Sequence, residues 1–355
     1  MTRPTRFDNI PGWLLLITAT VFLFIFFWIA IVIAFGAWNA SVRNDAWHDP
    51  NTRFDSELGW APIPSRSIKS FGNKTVSSNS LGFRSPEVDP AKKYILIVGD
   101  SVAWGYGVGD DETMSAYLQK RYVKDGENVQ VLNLGVSGYG IDQYVMWMKR
   151  NIDRTPPSAI IVVLCTSNDV DDTINNFANR KSKPLFTMSG GQLHNINGRI
   201  SKYSWMNLSS FYYPYVKIPI VWRLQETISG LLFRMSHKLI LKYDPARVVI
   251  GALFDEIYKI SMEHDSELLF VLVPPEDDLE NHVPNYGFRF LAQILVHKKY
   301  AHLNYFNLLK YQPKELRDKL YKDGYHFTSL GNAFFANVIY SYLGKSKKFN
   351  AAVLF

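Results

Sequence analysis

The sequence predicts an α/β protein, a doubly wound five-stranded parallel sheet carried behind a single N-terminal transmembrane helix. Three observations predict it. Short, continuous apolar runs recur from Tyr94 onward, each bounded by turn residues. Such runs suit strands covered on both faces, as in a parallel sheet. The stretches between them carry apolar residues at helical spacing, and strands alternating with helices imply right-handed crossovers. Ahead of all this, no charged residue occurs from Trp13 to Trp38.

That uncharged run reaches about 39 Å as a helix at roughly 1.5 Å per residue, enough to cross a hydrocarbon core about 30 Å thick with some tilt. Signal-peptide cores are only about 7–15 residues long, so an uncleaved anchor over 13–38 is expected, behind a tail at 1–12. Arg3 and Arg6 on one side nearly balance Arg43 and Arg53 on the other. The reading adopted puts the N-terminus inside and the large domain on the extracytoplasmic side. Residues 39–93 read as a polar stem with turn signals and no long periodic segment.

The alternation begins with Tyr94–Val98, which runs into Gly99-Asp100-Ser101. A helix with Met114, Tyr117, Leu118 and Tyr122 on one face follows, opened by Asp110 and Asp111. Val129–Leu134 is a second strand, and Ile141, Tyr144, Val145, Met148 and Ile152 give a second helix. Ala159–Cys165 is the third strand. Residues 171–247 interrupt the pattern as an insertion, with a hairpin at Gly190-Gly191 and an aromatic-rich Phe211–Tyr243 stretch read as core and cover, as a lid or membrane-surface segment, or as a partner-binding surface. A helix near 248–264 leads to a fourth strand, Leu268–Val273. A helix near 290–299 precedes a fifth strand around Asn304–Leu308. A last helix carries Leu330, Phe334, Phe335, Val338, Ile339 and Tyr342, and 344–355 is a tail.

Composition narrows the classes. Charged residues are 20% and apolar ones 47%, ordinary for a globular chain with one membrane segment. The net charge of +7 is scattered, which suits a solvated basic surface, and no nucleic-acid module is recognisable. Cys165, the one cysteine, excludes a disulfide within the chain. No histidine pair has zinc spacing, and neither a metal nor a cofactor is called for. Gly105-Tyr106-Gly107-Val108-Gly109 places its third glycine one residue early for a dinucleotide loop. Gly135-Val136-Ser137-Gly138-Tyr139 fails the nucleophile-elbow pattern at its last position. Ser101, just beyond the carboxyl end of the first strand, is left as the candidate nucleophile, although Gly-Asp-Ser is also an ordinary turn.

Four short motifs lie in order: Gly99-Asp100-Ser101, Gly135 after the second strand, Thr166-Ser167-Asn168-Asp169 after the third, and Asp323-Gly324-Tyr325-His326 before the last helix. Together they resemble the SGNH (GDSL-type) hydrolase family, over roughly residues 94–343. The stem's Asn79-Ser80-Leu81-Gly82-Phe83-Arg84 is similar to the segment that precedes Gly-Asp-Ser in membrane-anchored, exported bacterial members. The resemblance implies a flavodoxin-like sheet with Ser101 as nucleophile, His326 as base and Asp323 as the acid orienting it. It also implies an oxyanion hole from the N–H groups of Ser101 and Gly135 and the amide of Asn168. The sequence departs from the family pattern at Thr166, where a glycine is usual, and at Val102, where leucine is. The implied activity is a serine esterase or O-acyl transferase acting on acyl esters of an envelope glycan or lipid, with a membrane protein as a possible partner. The alternative is a membrane-anchored subunit that keeps the fold without the chemistry.

Overall fold

The computed structural model describes residues 11–46, 49–178, 181–200 and 245–346. They fall into two units, Met1–His48 and the residues from Asp49 onward. The first is one helix, α1 (Gly12–Ala46), whose Gly12–Ala30 portion is long and apolar enough to cross a membrane. It runs past the expected boundary at 38. No proline occurs between there and Pro50, so the helical hydrogen bonds continue after the apolar composition ends.

In the second unit five parallel strands form the sheet: β5 (Lys93–Gly99), β6 (Val129–Asn133), β7 (Pro157–Cys165), β12 (Glu267–Val273) and β13 (His302–Asn304). Their order is β13-β12-β7-β5-β6. Counted along the chain this is 2-1-3-4-5, the flavodoxin-like order. From β5 the chain goes out to β6 through α3 (Met114–Lys124), then returns past β5 to β7 through α4 (Ile141–Asn151). Opposite directions of travel with right-handed crossovers put α3 and α4 on opposite faces. Between β5 and β7 the connections diverge, and a crevice opens at the carboxyl ends of those two strands.

Tyr94–Gly99 in β5 is wholly buried, and in β7 only Ser158 is exposed, which is why these segments read as unbroken apolar runs. The fifth strand is displaced from its expected place. It occupies His302–Asn304, and Tyr305–Leu309 is a short helix whose N-terminus is capped by the Asn304 side chain. Tyr305, Phe306 and Leu309 are buried, a helical spacing that a strand would split between two faces. The last helix, Ser329–Ser346, extends three residues beyond the expected end of the domain.

The expected stem is corrected more deeply. Residues 39–46 belong to α1, and from Asp49 the chain is part of the compact unit. Two hairpins, β1 (Thr52–Asp55) with β2 (Gly59–Pro62) and β3 (Ser67–Ser70) with β4 (Lys74–Ser77), precede the sheet. Leu58, Trp60 and Phe83 are fully buried. The Gln143 amide donates to Leu58 O, the Trp60 indole to Ser137 O, and the Tyr139 hydroxyl to Trp60 O. Large aromatic rings each remove roughly 150–250 Å² from water, worth several kcal/mol at about 25 cal/mol per Å². Polar composition concealed this because a few large side chains do the anchoring.

Of the insertion, 201–244 and with it the Phe211–Tyr243 stretch lie outside the described residues. Its described part holds α5 (Asp169–Ile174), a two-residue pair β8 (Phe177–Ala178) with β9 (Lys181–Ser182), and the hairpin β10 (Phe186–Ser189) with β11 (Gln192–Asn195). Gly190 and Gly191 both have positive φ at that hairpin's turn, as such tight turns require. This part is fastened from below. A Cβ on Gly59 would stand 2.2 Å from Ser182 O, so the two backbones meet closely. The Lys183 ammonium is fully buried 2.6 Å from Asp142 of α4. The helix after the insertion, α6 (Pro245–Glu263), starts slightly earlier than its spacing suggests.

Candidate active site

β5 ends at Gly99, and the chain turns at once into a one-turn helix, α2 (Ser101–Trp104). Asp100 caps it: its carboxylate accepts the Val102 N–H at 2.9 Å. Ser101 is therefore the first residue of a helix, where the backbone N–H has no intrahelical partner. None of the described contacts gives that N–H an acceptor.

The Ser101 hydroxyl lies 2.9 Å from His326 Nε2, and His326 Nδ1 lies 2.9 Å from Asp323 Oδ2. Asp323 also accepts the backbone N–H of His326 at 2.9 Å. Burial alone would raise the Asp323 carboxyl, but these bonds from His326 outweigh it and hold the group below the usual carboxylate range. Residues far apart in sequence thus form one hydrogen-bonded line, the geometry of a nucleophile, a base and an orienting acid.

Asn168 closes the other side of the crevice, at the end of β7. Its Nδ2 lies 2.7 Å from Asp172 Oδ2 and 3.3 Å from Asp100 Oδ2. Asp100 Oδ2 is also 3.3 Å from the Ser101 hydroxyl, so the amide and the nucleophile share a neighbour. Asp169, which a sequence reader would call a cap, is fully buried and accepts from the Tyr144 hydroxyl and the Cys165 N–H. Burial, helped by the charge on Asp100, pushes its carboxyl well above the ordinary range.

Gly135 does not fit the expected donor role. Its N–H donates to the Asn133 side chain at 2.9 Å, which takes that hydrogen away from any substrate. The residue is glycine for a packing reason: a Cβ there would lie 2.4 Å from the Trp104 nitrogen. Gly138, three residues on, is buried at φ +78°, and its N–H has no acceptor among the described contacts. An N–H without a protein partner is available to another acceptor, which makes Gly138 the alternative donor after this strand. Both glycines follow the same strand, and they differ in hydrogen bonding, backbone conformation and packing.

Two further residues support the site. The Arg84 guanidinium is buried, donates to the carbonyls of Trp104, Gly105 and Val108, pairs with Asp110, and lies over the Trp104 ring. It holds the loop after α2 in shape. From that loop the Tyr106 ring, 40% exposed, rests 4.6 Å from the His326 ring, centroid to centroid. The motif around Arg84 was the available signal; nothing in the local sequence singles out Tyr106.

No protein-family profile matches the chain, and no curated protein does. Solved structures do. A lipase/acylhydrolase from Enterococcus faecalis is 11% identical, covers 73% of this chain and all of its own length, with a TM-score of 0.41. The psychrotrophic esterase EstA from Pseudoalteromonas, solved inhibited by monoethylphosphonate, is 14% identical at a TM-score of 0.39, with coverage of 73% of this chain and 100% of its own. A two-domain esterase active on acetylated mannans is 11% identical at 0.43; the likeness covers 74% of this chain and 53% of that one. The chain shares with the SGNH hydrolases it resembles the order of its motifs, and its sheet has the order that the resemblance implied. The functional argument rests on the site's own geometry.

Proposed function

We propose that the chain is a membrane-anchored serine esterase working through an acyl-enzyme, and that its substrates are acyl esters of an envelope glycan or lipid. The observation that carries this reading is the unbroken line from the Ser101 hydroxyl through His326 to Asp323. In the reaction Ser101 Oγ attacks the ester carbonyl while His326 Nε2 takes its proton. The imidazolium so formed is held by Asp323, then returns the proton to the leaving alcohol. The developing oxyanion meets the N–H of Ser101, the N–H of Gly138 and one N–H of Asn168. Water resolves the acyl-enzyme in an esterase; a second hydroxyl would resolve it in a transferase, with a membrane protein as acyl donor. A subunit without chemistry would have no use for the three-residue line.

The test is turnover of p-nitrophenyl acetate and of an O-acetylated glycan by the full-length protein in detergent. Asn168→Ala is expected to lower kcat by about 10²–10³ with KM little changed, since the amide acts on the transition state. Turnover of either substrate that Asn168→Ala leaves untouched would remove the amide from the mechanism.

We also infer that α1 anchors the protein with its large unit on the extracytoplasmic side. The full-length chain should then stay with membranes through an alkaline carbonate wash, and added protease should digest the large unit in spheroplasts. Release into the wash, or a new N-terminus near residue 37, would show a cleaved leader instead.

A further inference from the structure

The two carboxylates around Asn168 hold it unequally. Its Nδ2 is 2.7 Å from Asp172 Oδ2 but 3.3 Å from Asp100 Oδ2. Asp172 stands one turn further along α5, and its backbone N–H also donates to Asn168 O. The 2.7 Å bond is short and charge-assisted, the stronger kind. The 3.3 Å contact is weak, and its acceptor is the oxygen that also neighbours the Ser101 hydroxyl. One amide hydrogen is thus fixed, and the other rests weakly on Asp100 beside the nucleophile, a contact easily exchanged for a substrate oxygen.

A carboxylate accepts and never donates, so it also decides which end of the amide goes where. With the amide turned over, Oδ1 would face Asp172 as acceptor against acceptor, and a second oxygen would face the reacting carbonyl. We propose that Asp172 is a positioning residue for the ester reaction, its carboxylate locking the Asn168 side chain with an N–H presented to the acyl oxygen. The inference rests on the esterase reading above.

The charges around Asp172 make this lock sensitive to protons. Asp169 and Asp171 share its helix, and Asp100 faces it from the end of β5, with His326 beyond. Lys183 faces it from the insertion, its ammonium bound to Asp142 of α4. Burial pushes Asp172 up to about 6; Asp100 and Asp171 add to the rise, while the Asn168 bond and Lys183 oppose it. Above that pH the group is a pure acceptor. Below it the acid can donate to Asn168 Oδ1, and the preference for one amide orientation is lost. Activity should therefore fall on the acid side as Asp172 takes up its proton. The stability effect has the opposite sense. A carboxyl raised above its ordinary value of about 3.9 costs stability when ionised, in full above about 6, and the cost fades as pH falls between those values.

Asp172→Asn, which keeps shape and acceptor but also donates, separates these effects in the full-length protein. At about pH 8 kcat should drop roughly ten- to a hundredfold with KM almost unmoved, and the melting temperature should rise. On the acid limb the logarithmic slope of kcat should be lower in the variant than in the parent by about one, the share of a single protonation. Asp172→Glu should recover part of the rate. The proposal is overturned if Asp172→Asn keeps full kcat at pH 8, if its acid limb matches the parent's, or if its rate loss comes with lowered thermal stability. If Asn168→Ala and Ser101→Ala lose turnover while Asp172→Asn keeps full kcat, only this inference fails. A Ser101→Ala protein as active as its parent would remove the esterase reading as well.

Discussion

Ser101→Ala is expected to lower ester turnover by a factor on the order of 10⁴–10⁶ and to abolish labelling by a fluorophosphonate probe. Among the serines with described contacts, only Ser101 has its hydroxyl against an imidazole, at 2.9 Å. The probe needs a nucleophile activated in this way, so labelling reads the geometry directly. His326→Ala should lose nearly as much, because the three side chains act as a unit and their losses do not add. Asp323→Ala should lose less: the Asp323 side chain is 43% exposed, and water can take part of its place beside Nδ1. Labelling that persists in Ser101→Ala would place the reactive group elsewhere and end the esterase reading.

Lys183→Met should cost about 3–5 kcal/mol of stability, the usual result of stripping one partner from a buried ion pair. Both side chains of the Lys183–Asp142 pair have no solvent exposure. Lys183 also donates to the carbonyls of Asn175 and Pro184, so its removal leaves several acceptors unpaired. Burial raises the Asp142 carboxyl and Lys183 holds it down; without the lysine, Asp142 would take up a proton. The double variant Lys183→Met, Asp142→Leu should regain much of the loss, since the isolated charge is what costs most. Urea unfolding in detergent gives the comparison. A single variant as stable as its parent would show that the pair does not fasten the insertion.

The parts of the site that lie at strand ends were legible because a buried parallel strand writes a continuous apolar run, and the residue just past it occupies the crevice. Ser101 stands out in that way, whereas Asn168, His326 and Asp323 enter through the resemblance of their short motifs. What escaped notice depends on hydrogen bonding between distant segments. Nothing in Asn133-Leu134-Gly135 says that the asparagine side chain will occupy the glycine's N–H, and so the expected donor fell on Gly135. Asp172 is one acid among three in the first turn of α5, and only its 2.7 Å contact with Asn168 distinguishes it. The run at 304–308 was misread because Asn304 is both a strand end and a helix cap.

The belt from Asp49 to Arg84 also shapes how the chain must reach its fold. Trp60 finds Ser137 and Tyr139 at separations of 77 and 79 residues, and Leu58 finds Gln143 at 85. Closing loops of that length costs entropy before any contact repays it, and such contacts form slowly. During synthesis the belt emerges ahead of β6 and α4 and lacks these partners until they have followed. For that interval Leu58, Trp60 and Phe83 lack the partners that bury them, an apolar surface of the kind that holding chaperones take up. The residues made early are among the last to be buried.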